Sequence, residues 1–281
     1  MPTFNTPEPI SAVVDLVVGD ARIVASDRDD TVVEIRPSDE SHEPDVRAAE
    51  QTRVEYSGGQ LLVIAPRQRG LSMFGKPGSI DVTIDLPAGS HVSGDASAAA
   101  FHGAGRFGEC RVKTSAGDIR LEHTGPLEAT TGAGAIVVDQ VAGPAEVSTG
   151  SGRVRLREID GTALIKNSNG DSWIGEVAGD LRVKAANGSI AVDHANAGVN
   201  ASTANGDVRI GDLTRGSVSL KTSFGEIEVG IHAGTAARLD VHTQFGRIHN
   251  HMDASDGPGA SDQTADVSAR TSYGDIVIRR A

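Results

Sequence analysis

Asp207 and Glu226 each stand one residue after a glycine, in a chain whose glycines recur at nearly constant spacing. Carboxylates so placed would lie about 5 Å apart on neighbouring turns of a stacked structure, near the separation of a retaining glycosidase pair. Their positional class reads Asp118, Ala135, Arg153, Asp171, Ser189, Asp207, Glu226, Arg247 and Asp275. That is the pattern of turn residues of alternating charge, so neither catalysis nor calcium bridging is expected. His242, His249 and His251, with Asp253, have the donor types of a transition-metal site, but scattered surface histidines are the expectation. Cys110 reads as a small buried hydrophobe with no placed histidine to make it a nucleophile. Gly103-Ala-Gly105-Arg-Phe-Gly108 matches a dinucleotide fingerprint, yet a strand repeat follows it instead of the helix that chemistry requires. No Walker loop, nucleophile elbow or zinc spacing occurs. No catalytic residue, metal or cofactor is therefore assigned, and the chain is not expected to be an enzyme.

Binding candidates are more numerous. Four residues before the recurring glycine stand Lys113, Thr130, Ser148, Lys166, Lys184, Ser202, Lys221, His242 and Arg270, and three after it Arg120, Arg155, Trp173 and Arg209. These are expected to form a basic strip on one outer face, either a solvated face paired with neighbouring acids or a contact surface for an acidic partner. Just before the glycine the residues change along the chain from Asn169, Asn187 and Asn205 to Phe224, Phe245 and Tyr273. Rings at the last three positions would stack, shielding a turn or offering a surface to sugar or protein. The segment 67–76, with Arg67, Arg69, Met73, Phe74 and Lys76, reads as a loop that could dock to a membrane surface or partner.

The elements that would position these residues come from a repeat. The glycines are Gly117, Gly134, Gly152, Gly170, Gly188, Gly206, Gly225, Gly246 and Gly274, spaced by 17, 18, 18, 18, 18, 19, 21 and 28 residues. Apolar residues or threonine occupy most positions five and three before and two and four after each glycine, as in Val147, Thr149, Val154 and Leu156 around Gly152. Period-two alternation on both sides of a glycine predicts strand, tight turn, strand. Asn169-Gly170, Asn187-Gly188 and Asn205-Gly206 are favoured turn dipeptides, and a second bend recurs at Gly143, Gly161 and Gly179. Such a unit cannot bury its own apolar face, so successive units stack about 4.8 Å apart. The fold expected is all-β, a single β-solenoid, β-helix-like, right-handed or flattened, of about 18 residues per coil.

Val14, Leu16, Gly19, Ala21 and Ile23 reproduce the inward positions of a first coil. The stretch 26–90, with strands near 31–35, 61–64 and 80–86 and a short helix over 45–52, is expected to widen or cap the first coils. Residues 91–110 read as a degenerate unit in which Val92, Phe101 and Phe107 precede Val112, Ile119 and Leu127, and 251–264 as an inserted loop. The domain division is 1–90, first coil plus strand-rich cap, and 91–281, solenoid repeats. Composition agrees. Glycine is 34 of 281 residues and only nine are aromatic, so small and branched side chains must fill the core. A net charge of −12 argues against a chain-wide grip on nucleic acid or anionic lipid. The start, MPTFNTPEPI, lacks the basic and apolar stretches of a signal peptide, and no run reaches membrane-spanning length, which gives a cytoplasmic expectation.

VVGDARI near the start, SIDVTIDLPAGSHV at 79–92 and the units KTSAGDIRL, KNSNGDSWI, STANGDVRI, KTSFGEIEV and RTSYGDIVI resemble the bacterial β-strand-repeat "putative adhesin" family, domain of unknown function 4097. The resemblance spans nearly the whole chain and implies a β-solenoid with no established reaction and no functional residues to carry over. The reading is a non-enzymatic binding or scaffolding module that contacts a protein partner of unknown identity, an acidic one being one option, through outward ladders. Lys166, Lys184, Lys221, Arg209, Trp173, Phe224, Phe245 and Tyr273 are its candidate binding residues. A monomer or small homo-oligomer is expected. The alternatives are an adhesin-like glycan binder, a polysaccharide-active β-helix enzyme and a filament-forming structural protein.

Overall fold

The computed structural model describes residues 1–67, 77–252 and 263–281. Apart from Arg67, the expected loop 67–76 lies outside them, as does most of the expected loop 251–264, including Asp253. The fold is a β-solenoid. Coil residues two apart alternate between core and solvent, so Val147, Thr149, Val154 and Leu156 are buried while Glu146, Arg155 and Arg157 face outward.

Between the two strands of a coil the chain turns at the recurring glycine. Gly152, Gly170, Gly188, Gly206, Gly225 and Gly274 have φ between +129° and +152°, a region that side-chain-bearing residues avoid. There is also no room for a side chain. A Cβ on Gly188 would fall on the carbonyl oxygen of Gly170, one on Gly206 on that of Gly188, and one on Gly225 on that of Gly206. The asparagines before these glycines do not adopt positive φ, so the Asn-Gly pairs are not the primed turns their composition suggested. They form a ladder instead: Asn187 Nδ2 donates to Asn169 Oδ1 at 2.9 Å, and Asn205 Nδ2 to Asn187 Oδ1 at 2.8 Å.

The threonine three residues before the glycine has a specific partner. Its buried hydroxyl donates to the glycine carbonyl of the adjacent coil: Thr203 to Gly188 at 3.1 Å, Thr222 to Gly206 at 2.9 Å, Thr271 to Gly225 at 3.0 Å. Asn167 takes this place in one coil, donating Nδ2 to Gly152 O at 3.0 Å, but its buried Oδ1 has no partner. Beside it Ser172, also buried, interrupts the aliphatic row between Val154 and Ile190.

Two compact units are present, Met1–Asp139 and Gln140–Ala281. In the first, the long strand Ser11–Ser26 pairs in parallel with His91–Arg106 on one edge, and with Gln60–Ile64 and Ser79–Pro87 on the other. The stretch expected only to widen or cap thus supplies a full coil that stacks outside the first one in sequence. Antiparallel strands close that coil, with Asp30–Pro37 on Ser79–Pro87 and Arg53–Ser57 on Gln60–Ile64. The helix Glu43–Gln51 lies close to the expected one, and its buried Asp45 carboxylate accepts from the Ser79 amide at 2.9 Å and pairs with His42 at 2.7 Å. Those bonds, the amide first, hold its carboxyl below the ordinary aspartate value. In the degenerate unit Phe101 pairs with Ile119 as expected, but Val92 pairs with Cys110, two residues before the Val112 the spacing indicated.

In the second unit the first strands are Ala145–Ser151, Ala163–Asn169, Leu181–Asn187, Val199–Ser202 and Gly216–Phe224, each parallel to the next. The order then departs from sequence. Gln263–Tyr273 pairs with Gly216–Phe224 on one side and with Thr235–Phe245 on the other. The last coil of the chain is inserted between its two predecessors, and Thr235–Asn250 is left outermost. This accounts for Ile248, expected in the core yet 45% exposed.

Gly188→Ala should destabilise the protein by about 3 kcal/mol or more, combining backbone strain with the overlap on Gly170. Chemical unfolding measures it. Replacing Asn167 with Thr and Ser172 with Val together should stabilise by about 1 kcal/mol, seen as a raised denaturation midpoint, because an orphaned buried acceptor is removed.

Candidate functional site

The outward residues of the first strands in the second unit form aligned rows. Four before the glycine the register runs Ser148, Lys166, Lys184, Ser202, Lys221, Arg270 and His242. One before it the row is Ser151, Asn169, Asn187, Asn205, Phe224, Tyr273 and Phe245. The column of rings lies at the corner end of the same strands, three residues and about 10 Å beyond the row of cations. An open groove of about 300 Å³ lies there, lined by Lys221, Ser223, His242, Gln244, Arg270 and Ser272 among others.

The rings are stacked. Tyr273 lies between Phe224 and Phe245, with both centroids 4.9 Å away and interplanar angles of 2° and 11°. They remain 54%, 48% and 56% exposed for Phe224, Tyr273 and Phe245. Acids stand only toward the ends of the cationic row. Lys166 Nζ bonds Glu146 at 3.1 Å and Arg270 bonds Asp240 at 2.9 Å. Lys184 and Lys221 have no carboxylate partner among the described residues. Neither has Arg182, two residues before Lys184 on the same face, which the glycine-anchored alignment passed over although period-two spacing from Lys184 would have found it.

The expected single basic strip is in fact two rows on different strands, because the glycine corner separates them. In the second row Arg155 stacks over Trp173 at 4.6 Å, and Arg209 pairs with Glu228 at 3.4 Å. Trp173 covers Gly175 and borders a charged groove of about 260 Å³ with Arg157, Glu176, Asp193 and His194. Trp173 and Arg209 thus stand apart from Lys166, Lys184, Lys221, Phe224, Phe245 and Tyr273.

The carboxylates after the glycines serve the backbone. Asp207 Oδ1 accepts from the amide of Glu226, Asp171 from that of Ser189 and Asp275 from that of Arg247, each at 2.8 Å. His249 and His251 are near-parallel with ring centroids 6.4 Å apart, while His242 lies on another strand in the row of Arg270. Among the described residues no group of three or more His, Cys, Asp or Glu could hold a metal ion, and no helix is long and apolar enough to cross a membrane. Cys110 is buried, and burial pushes its thiol up to about 12.

A family model described as Toastrack DUF4097 matches residues 14–279. The chain belongs to this family. Solved structures similar to this Toastrack chain include a "putative adhesin" from Bacteroides fragilis, 14% identical, covering 99% of this chain and 95% of that one at a TM-score of 0.39. A "putative cell adhesion protein" from Clostridium sporogenes is 11% identical over 100% and 98% of the two chains, with a TM-score of 0.29. A "putative adhesin" from Parabacteroides distasonis is 12% identical over 100% and 95%, with a TM-score of 0.31. No curated protein matches the chain.

Cys110 makes folding pH-dependent in a defined window. Its folded value is raised, so the neutral thiol stabilises fully below the unfolded value of about 9.0, and that contribution is lost as pH rises toward about 12. Between pH 9 and 12 the wild type should lose more stability than Cys110→Ala, read from denaturation midpoints of the two proteins.

Proposed function

We propose that this Toastrack protein is a non-enzymatic cytoplasmic binding module whose first-strand face in the second unit holds an extended acidic segment of a protein partner. The cytoplasmic address rests on the sequence alone. The observation that carries the reading is Lys184 and Lys221 in one aligned row, with Arg182 two residues before Lys184, all three without carboxylate partners among the described residues, near an exposed three-ring stack. Free cations about 7 to 10 Å apart repel one another, and an acidic strand laid along them relieves that repulsion. The rings add apolar contact at one end, where aromatic residues contribute most to interfaces.

Glycan binding fits less well. A sugar stacks on an aromatic face, yet both faces of Tyr273 are covered by Phe224 and Phe245, which confines such stacking to the end of the column at Phe245. Catalysis by the Asp207 and Glu226 pair is disfavoured because Asp207 holds a backbone amide.

A labelled poly-glutamate peptide tests the proposal by fluorescence anisotropy. It should bind at low salt, weaken as salt rises, and lose about tenfold or more in affinity in Lys184→Glu/Lys221→Glu, with a smaller loss in Tyr273→Ala. A peptide that fails to bind, or binds all variants equally, overturns the reading. A neutral oligosaccharide that binds where the peptide does not would establish the glycan alternative.

A further inference from the structure

The two ends of the coil stacks are treated differently. In the first unit the outermost coil is covered by antiparallel strands. In the second, the outermost strand Thr235–Phe245, TAARLDVHTQF, pairs on one edge only among the described residues, and it has neither proline nor lysine to block the other.

The direction of the free backbone groups follows from the coils beneath. Inward-facing residues point their amides up the stack, as when Thr203 N donates to Lys221 O and Ile276 N donates to Arg247 O. In the outermost strand the inward residues are Ala237, Leu239 and Val241, in register with buried Ala265, Val267 and Ala269. Among the described residues no further coil receives their amides and carbonyls. Eleven residues of strand with a half-buried apolar row thus remain open.

We infer that this edge pairs with the same edge of a second copy, as an antiparallel two-fold dimer centred on Leu239. In that register Leu239 faces Leu239 of the second copy, Ala237 faces its Val241, and their free backbone groups form the hydrogen-bonded pairs. Arg238 then faces Asp240 of the second copy, and Asp240 faces its Arg238, in the closer non-hydrogen-bonded positions. The complementarity is built into the sequence, because Arg238 and Asp240 flank the two-fold position. Arg238 makes no ion pair among the described residues, and the acid beside it in register on the adjacent strand is Asp266. Asp240 meets Arg270 through one oxygen and is 68% exposed. The pairing is isologous and closes at two copies, since the antiparallel cover on the first unit's outermost coil offers no equivalent parallel edge.

Sedimentation velocity on the full chain over a dilution series tests this. The wild type should show a reversible monomer–dimer equilibrium. Arg238→Asp and Asp240→Arg alone each set like charges face to face twice, and each should weaken the dimer about tenfold or more. An equimolar mixture of the two variants restores both opposite-charge contacts and should dimerise again, as should the double swap R238D/D240R. A wild type that stays monomeric at every concentration, an open series of larger species, or single reversals that leave the dimer intact would each overturn the inference. Recovery in the mixture separates a broken contact from a misfolded chain.

Discussion

The carbonyl oxygen of a corner glycine is approached from the adjacent coil by the α-carbon of the next glycine, close enough to exclude a Cβ. In most coils a threonine hydroxyl approaches it as well, with Asn167 supplying an amide at Gly152 and Ala185 no donor at Gly170. Gly206 illustrates both, since its oxygen sits where a Cβ on Gly225 would be and accepts a hydrogen bond from Thr222. This contact sets the spacing and the register of the coils together. A one-residue slip would replace the glycine by a side chain that cannot fit and would place the threonine hydroxyl on the outside. The aspartates one residue later add a second clamp at the same corner, holding the next coil's amide.

Because the corner fixes register, it also decides what the outer surface looks like. Every residue class becomes a row along the stack, so a preference for lysine at one position and an aromatic at another turns into a line of cations and a column of rings. The chemistry of the face is therefore additive along the axis, which suits an extended partner better than a compact ligand. The grooves agree with this, being open and shallow beside Lys221 and Trp173. The corner carboxylates that resembled an enzymatic pair are tied to backbone amides.

Much of this was legible from residue spacing. The inward rows around Gly152, Gly170 and Gly188, the early coil at Val14–Ile23, the helix near Asp45 and the burial of Cys110 all follow from period-two alternation and composition. What escaped was which coil lies beside which. Gly225, Gly246 and Gly274 carry the same surrounding pattern, and any order of their coils satisfies it locally. The stack order, and with it the place of Tyr273 between Phe224 and Phe245, depends on contacts between residues far apart in sequence. The same holds for the strand Ser79–Pro87, which pairs in parallel with Ser11–Ser26 across a long intervening segment.

By itself the sequence determined the coil: its length, its inward faces, its glycine corner and the family to which the chain belongs. These are local properties, set by alternation and by the φ that only glycine adopts freely. Tertiary structure alone decided the order of the coils, the division of the basic residues into two rows, which cations lack a carboxylate neighbour, and which strand edge stays open. Each of those depends on register between strands tens of residues apart, and a repeating pattern cannot encode it, because every coil presents nearly the same edge to every other.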